Sequence, residues 1–133
     1  MDRSETVAID ADAAIDYFSG AEPVASQVAQ LVRNDALAIA APTVFELACG
    51  IQTESQRHDL ELLLSCAVVL ELNAEAAQRA AAVYRDLRSR GMLIDSLDIL
   101  LAGCCLAHSV PLLSRNERHF RLVPGPALIV PGR

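Results

Sequence analysis

The hydrophobic and polar positions along the chain alternate between short apolar runs and longer stretches with helical spacing. The short runs end at polar or turn residues, which is typical of strands that are buried on both faces. The predicted strands cover residues 6–9, 37–40, 68–72, 111–113 and 127–130. Because helical stretches separate them, the pattern predicts a three-layer α/β/α fold with a mainly parallel sheet of four to five strands.

The predicted helices are delimited by capping and helix-breaking residues. They cover residues 13–18, 24–32, 42–53, 56–65, 74–90, 96–108 and 117–120. Ser55, Asn73 and either Asp95 or Ser96 are the predicted N-caps, and Gly91 ends the longest helix. The sequence contains no linker or repeat between these elements. Together with the length of 133 residues, this predicts one domain spanning residues 1–133.

Composition narrows the class of protein further. Apolar residues make up 53% of the chain, which argues against a disordered protein, and the shortage of aromatic residues predicts a core of Ala, Val, Leu and Ile. No apolar run approaches the roughly 20 residues of a membrane helix, and charged residues interrupt any signal peptide. The four cysteines lack metal-ligand spacing, so we expect reduced core thiols in a cytoplasmic protein.

The net charge of the chain argues against one class of nucleic-acid-binding protein but not against an enzyme that acts on phosphates. A net charge of −6 argues against a general nucleic-acid coat protein, although an enzyme can still bind phosphates through a metal and a local arginine patch. All eleven basic residues are arginine, and the chain contains no lysine.

The candidate chemistry begins at Asp10, which follows the first predicted strand. Open α/β sheets bind ligands at the carboxyl ends of their strands. A buried lone carboxylate is costly unless it is paired or bound to a cation. Glu46, Asp98 and Asn116 each follow or begin an element that could return to the same edge. We expect these four residues to surround a divalent metal, and oxygen ligands without suitably spaced histidines favour Mg²⁺ or Mn²⁺ over zinc.

Three of the four residues also have a purely structural interpretation. Thr43 and Glu46 fit a capping box, Asp98 suits the first turn of a helix, and Asn116 could cap residues 117–120. Asp10 has no predicted capping role. The metal hypothesis therefore depends most on Asp10.

Four stretches, AIDADAAIDYF, APTVFELACG, DSLDILLAG and LLSRNERHF, resemble the signature blocks of PIN-domain nucleases. Among these, the chain most resembles the VapC-type toxins of bacterial toxin–antitoxin pairs, over nearly its whole length. The resemblance implies a PIN-like fold and a Mg²⁺-dependent endoribonuclease, usually a homodimer, that a partner antitoxin holds inactive. The metal-binding acids of the first three blocks correspond to Asp10, Glu46 and Asp98. The fourth position, often Asp, is Asn116 here, which leaves one fewer negative charge for a second metal.

The resemblance and the charges together predict a mechanism. Asp10 and Asp98 would bind the principal Mg²⁺, with Glu46 and Asn116 completing its shell, and a metal-bound water would attack the scissile phosphate in line. Asp12 could orient that water, although a role as cap of the first helix is favoured. Thr43 and Ser114 either support the ligands or serve as caps.

Basic residues could bind the RNA on either side of the cleaved bond. Arg115, Arg118 and Arg121 follow the last candidate ligand, with His119 beside them. Arg85 and Arg88 form a second candidate patch, for which a solvated helix face is the favoured interpretation. The predicted partners are RNA, a second copy of the chain, and an antitoxin whose tail carries Arg or Lys into the acidic pocket.

Two other classes of function remain open. Acids after a strand also resemble aspartyl-phosphate enzymes and receiver domains, but both use a lysine, which this chain lacks. The stronger alternative is a catalytically weak PIN-fold binding module that pairs with a regulator, and Asn116 is the residue that favours it.

Overall fold

The computed structural model describes residues 6–125 and 127–132. Its centre is a five-stranded sheet with the strand order β3-β2-β1-β4-β5, and every pairing between these strands is parallel. The strands are β1 (Val7–Ile9), β2 (Leu37–Ala40), β3 (Val68–Leu70), β4 (Leu112–Leu113) and β5 (Leu128–Ile129). The predicted α/β fold with a parallel sheet is confirmed.

Helices cover both faces of the sheet. They are α1 (Ala11–Ser19), α2 (Val24–Arg33), α3 (Ala41–Cys49), α4 (Glu54–Ser65), α5 (Ala74–Ser89), α6 (Ser96–His108) and α7 (Glu117–Phe120). None of the helices in the described part of the chain is both long and apolar enough to cross a membrane.

The side chains of each strand alternate between the two faces of the sheet, so the hydrophobic core lies on both faces. Ala8 and Ala38 pack with the cluster formed by α5, α6 and Phe120, whereas Ile9 and Ile39 pack with the cluster formed by α1, α2 and α4. Successive side chains of a strand point to opposite faces, so each strand serves both layers. Small alanines on one face let α5 and α6 lie close to the sheet.

Helices α5 and α6 approach each other closely at Gly103. A Cβ atom at this position would lie 2.5 Å from the Ala76 carbonyl oxygen and 2.7 Å from Ala80 Cβ. These distances are shorter than van der Waals contact, so any larger residue forces the two helices apart.

We therefore expect Gly103→Ala to lower the free energy of unfolding by about 1–3 kcal/mol, the usual cost of overpacking. Urea denaturation measures this change. Gly50→Ala is the matched control, because a Cβ there meets only the Leu47 carbonyl oxygen at 3.6 Å. Equal stability of the two variants would contradict the close α5–α6 contact.

Several element boundaries differ from the sequence prediction. Helix α1 begins at Ala11 instead of residue 13, and α3 ends at Cys49 instead of residue 53. Thr53, not Ser55, caps α4, in a capping box with Gln56. The error arose because both residues are good caps, and only the reciprocal bond with Gln56 distinguishes them.

The expectation for the cysteines holds only in part. Cys104 and Cys105 are buried in the core, whereas Cys49 and Cys66 are exposed at the ends of α3 and α4. All four thiols are free. Burial raises the pKa of Cys104 to about 11 and that of Cys105 to about 12, so both core thiols are protonated at neutral pH.

Candidate active site

A polar cleft of about 220 Å³ lies where β1 and β2 give way to α1 and α3, beside the start of α6. The sequence-predicted Asp10, Glu46, Asp98 and Asn116 all line it, although they are up to 106 residues apart in the chain. The other lining residues are Ala11, Asp12, Thr43, Asp95, Leu97, Leu101 and His119. The fold thus brings the four predicted residues to one place.

Asp10 is the most buried of these acids, with 5% of its surface exposed. Its Oδ1 atom accepts a hydrogen bond from the Ala13 amide at 2.9 Å, and its Oδ2 atom accepts one from the Ser114 hydroxyl at 2.5 Å. Burial raises the pKa of Asp10, and the bonds from Ser114 and Ala13 oppose that rise. A carboxylate has about four acceptor positions, so two remain for a further ligand.

The Ala13 bond makes Asp10 the N-cap of α1. The expectation that Asp10 has no capping role is therefore wrong, and so is the favoured assignment of Asp12 as the cap. Asp12 is exposed in the first turn of α1 and lines the cleft. Because β1 ends at Ile9 and α1 begins at Ala11, the cap lies two residues earlier in the chain than predicted.

Glu46 lies at the exposed rim of the cleft, in the middle of α3. Because α3 begins at Ala41, directly after β2, Thr43 is inside the first turn, and the capping-box interpretation of Glu46 is wrong. Thr43 is buried and lines the cleft. Burial raises the pKa of Glu46, and the nearby charges of Asp98 and Asp12 raise it further.

Asp98 is in the first turn of α6 and contacts two side chains from the α7 segment. Its Oδ2 atom lies 2.9 Å from His119 Nδ1 and 3.5 Å from Asn116 Nδ2. His119 Nδ1 and Asn116 Nδ2 are themselves 2.9 Å apart. Burial raises the pKa of Asp98, while the hydrogen bond and charge of His119 act in the opposite direction.

Asn116 occupies the N-cap position of α7 but makes no capping bond through its side chain. The alternative of a purely structural cap is therefore wrong, because the amide faces Asp98 and His119 instead. Asp95, by contrast, does cap α6 by accepting from the Leu97 amide.

Ser114 connects the two halves of the cleft. It is fully buried, donates to Asp10 Oδ2 and accepts from the Asn116 amide at 2.9 Å. Ser114 thus holds the loop after β4 against the end of β1, and it fixes the orientation of the Asp10 carboxylate.

The cleft has a large excess of negative charge. Asp10, Glu46 and Asp98 all have raised pKa values, because burial and mutual repulsion disfavour their charged forms. No arginine lines this cleft in the described part of the chain. A hard divalent cation is the ligand that oxygen donors of this kind favour.

The described side chains do not stand in a complete set of three or more metal ligands. A cation held by Asp10, Glu46 and Asp98 would draw their carboxylates closer than they stand. The chemistry of the donors fits Mg²⁺ or Mn²⁺.

The predicted RNA-binding arginines lie outside the cleft. Arg115 forms an ion pair with Asp16 of α1, with Nε 3.3 Å from Oδ2. Arg118 and Arg121 are exposed on and after α7, and Arg85 and Arg88 are exposed on α5. Arg88 stacks over the Tyr84 ring at 5.5 Å, and this contact is in keeping with a solvated helix face. Their binding of RNA stays a prediction.

Sequence reasoning missed His119 and Asp95 as members of the cleft. His119 lies three residues after Asn116, a spacing that places both side chains on one side of a helix. That spacing was the available signal, because it predicts that a histidine shares the surroundings of the last candidate ligand.

The comparisons with known proteins agree with this architecture. The family model described as PIN domain matches residues 7–126. The chain belongs to the PIN-domain family.

Within that family it is similar to proteins named ribonuclease VapC. It is 32% identical to ribonuclease VapC19 of Mycobacterium tuberculosis over 117 residues, covering 87% of this chain and 93% of that protein. It is 27% identical to ribonuclease VapC1 of Methanocaldococcus jannaschii over 121 residues, covering 90% and 83%. The resemblance inferred from the four sequence blocks is confirmed.

Solved structures with the same fold include VapBC complexes. VapBC2 from Rickettsia felis, bound to a promoter DNA fragment, has a TM-score of 0.82 at 18% identity, covering 94% of this chain and 98% of that one. VapBC-1 from nontypeable Haemophilus influenzae has a TM-score of 0.78 at 25% identity, covering 94% and 97%.

Proposed function

We propose that this protein is the endoribonuclease toxin of a VapBC-type toxin–antitoxin pair, and that its cleavage of RNA depends on Mg²⁺ or Mn²⁺. The observation that carries the proposal is the cleft itself, which Asp10, Glu46 and Asp98 line with no arginine among its described lining residues. The names of the relatives, ribonuclease VapC1 and VapC19, support the nuclease activity.

Asp10 and Asp98 would hold the metal, with Glu46 and Asn116 completing its surroundings. A divalent cation held there would polarise the scissile phosphate and lower the pKa of a water molecule beside it. Ser114 and the Ala13 amide fix the Asp10 carboxylate, so that this ligand is oriented before the substrate arrives. Asp12, exposed at the same edge, can accept a proton or orient a water from the solvent side.

The substrate's backbone would lie along the exposed side of α7. Arg118 and Arg121 are exposed there and can neutralise phosphates next to the cleft. Arg115 is less available, because Asp16 already pairs with it.

Removal of the metal tests this proposal. We expect EDTA to reduce cleavage of single-stranded RNA by at least about 100-fold, and excess Mg²⁺ or Mn²⁺ to restore it, because the polarised phosphate and activated water are lost together. A fluorescent RNA substrate measures the rate. Full cleavage in EDTA by a homogeneous preparation would contradict the proposal. No cleavage in either condition by antitoxin-free protein that can still bind the antitoxin would favour the binding module instead.

A second, apolar groove of about 470 Å³ lies next to the cleft. Ala11 and Glu46 border both. Ile15 and Phe18 of α1 face the groove and remain 52% and 36% exposed. Large exposed apolar side chains beside a charged site are typical of a protein-binding surface.

We infer that this groove binds a segment of the antitoxin. Apolar side chains of that segment would pack against Ile15 and Phe18, and a following Arg or Lys would enter the acidic cleft. Charge complementarity supports this occupant, since the cleft would attract a cation. The related structures, which include a toxin–antitoxin complex from Klebsiella pneumoniae, support the same kind of partner.

We also expect a homodimer, as the family resemblance implies. The exposed Val68 and Val69 on β3, an edge strand of the sheet, offer apolar surface away from the groove. Exposed edge strands with apolar side chains usually have a partner.

A further inference from the structure

The His119 side chain is the contact between α7 and the candidate metal ligand on α6. Its Nδ1 atom lies 2.9 Å from Asp98 Oδ2, across 21 residues of sequence. Its side chain is 38% exposed and that of Asp98 is 21% exposed. His119 is therefore not needed to fill the core, and its position is explained better by the contact with Asp98.

The contact determines which oxygen of Asp98 is free. A carboxylate only accepts hydrogen bonds, so an ionised Asp98 requires His119 Nδ1 to carry the proton and donate it. This nitrogen then cannot accept from Asn116 Nδ2, which lies 2.9 Å from it and donates to Asp98 Oδ2 instead. In the described part of the chain, hydrogen bonds to Asp98 from other side chains reach only Oδ2. With Oδ2 fixed on one side, Oδ1 is the oxygen left to bind a ligand in the cleft.

We propose that His119 is a positioning residue that orients the Asp98 carboxylate for divalent-metal binding through its Nδ1–H group. The inference rests on the function proposed above, in which Asp98 is a metal ligand. Outer partners of this kind hold a ligating carboxylate in one orientation, and their loss typically weakens metal binding 10- to 100-fold. Asp10 already has such a partner in Ser114, and His119 supplies the equivalent for Asp98.

The chemistry of the ring allows a sharp test. The side-chain nitrogen of asparagine is attached to Cγ, as is Nδ1 of histidine, so His119→Asn can keep a donor at nearly the same place. His119→Leu keeps the bulk and removes the donor. His58→Leu is the matched control, because His58 is exposed on α4 and does not line the cleft.

Binding of Mn²⁺ alone, followed by electron paramagnetic resonance without RNA, gives a readout that does not depend on activity. We expect His119→Leu to bind Mn²⁺ about 10- to 100-fold more weakly than wild type. His119→Asn should stay within about 3-fold of wild type, since it keeps the donor. His58→Leu should bind as wild type does. If His119→Leu fails to fold, His119→Ala gives the same comparison on a truncated side chain.

The Mn²⁺ affinities of the wild type and the His119 variants distinguish failure of this inference from failure of the proposed function. Wild-type affinity in His119→Leu, or equal weakening in the Leu and Asn variants, would overturn the role of the Nδ1 donor while leaving the proposed function intact. If the wild type itself does not bind Mn²⁺, the proposed function fails, and this inference fails with it. Weakening in His119→Leu together with recovery in His119→Asn supports the positioning role.

Discussion

Asp98→Asn is expected to abolish RNA cleavage and, at the same time, to make the metal-free protein more stable. The loss of activity should be at least about 100-fold, because loss of even an outer partner of a metal ligand costs 10- to 100-fold. The gain in stability follows from the pKa of Asp98, which burial and neighbouring acids raise despite the bond from His119.

The stability change is a gain because folding raises the pKa of Asp98. A carboxyl group whose pKa is higher in the folded state than in the unfolded state destabilises the fold when it is ionised. The penalty is present at neutral pH and disappears as the pH falls through the raised pKa. Asparagine removes the charge and keeps an oxygen that can accept from His119, so the gain should be a few tenths to about 1 kcal/mol.

Glu75→Gln is the matched control for this variant. Glu75 is likewise an acid in the first turn of a helix, α5, but it lies outside the cleft and pairs with Arg79. Its neutralisation removes a favourable interaction with the helix dipole and should cost about 0.3–1 kcal/mol, with no change in cleavage. If the two variants behave alike, Asp98 is only a helix-terminal acid.

Ile15→Asp is expected to separate antitoxin binding from catalysis. Ile15 lines the apolar groove and is 52% exposed, so the substitution introduces a charge where the partner's apolar side chains would pack. Loss of an interface hot spot costs about 2 kcal/mol or more, which corresponds to a decrease in affinity of at least about 30-fold. RNA cleavage should be unchanged, because Ile15 does not line the acidic cleft.

The measurement is affinity for the cognate antitoxin. Met92→Asp is the control, since Met92 is 47% exposed and lines neither the groove nor the acidic cleft. Undiminished binding by Ile15→Asp would place the antitoxin elsewhere. Loss of cleavage along with binding would point to misfolding instead.

The parallel sheet could be predicted from sequence because its strands are short apolar runs between helices. Asp10 could be placed at the site for the same reason, since it ends a strand that is buried on both sides. The places of Glu46, Asp98 and Asn116 at the site could be predicted because their elements begin or end at the same edge of the sheet. Each of these inferences uses only the order of elements along the chain.

The contacts within the site could not be predicted in the same way. The bond between His119 and Asp98 joins residues on different helices, and its existence depends on how α7 packs against α6. The cap of α1 was misassigned because Asp10 and Asp12 are both good caps, and the choice depends on where the strand ends. Thr43 and Glu46 fit a capping box in sequence, but the preceding residues were already helical.

The most direct test of a metal-binding cleft compares thermal midpoints of wild type and Asp98→Asn, each in EDTA and in millimolar Mg²⁺ at neutral pH. A ligand that binds the folded state raises its stability by mass action. Asp98→Asn should melt higher than wild type in EDTA, and Mg²⁺ should stabilise wild type much more than the variant. A variant that melts lower than wild type in EDTA, yet gains as much from Mg²⁺, would contradict the assignment of Asp98 to a metal site.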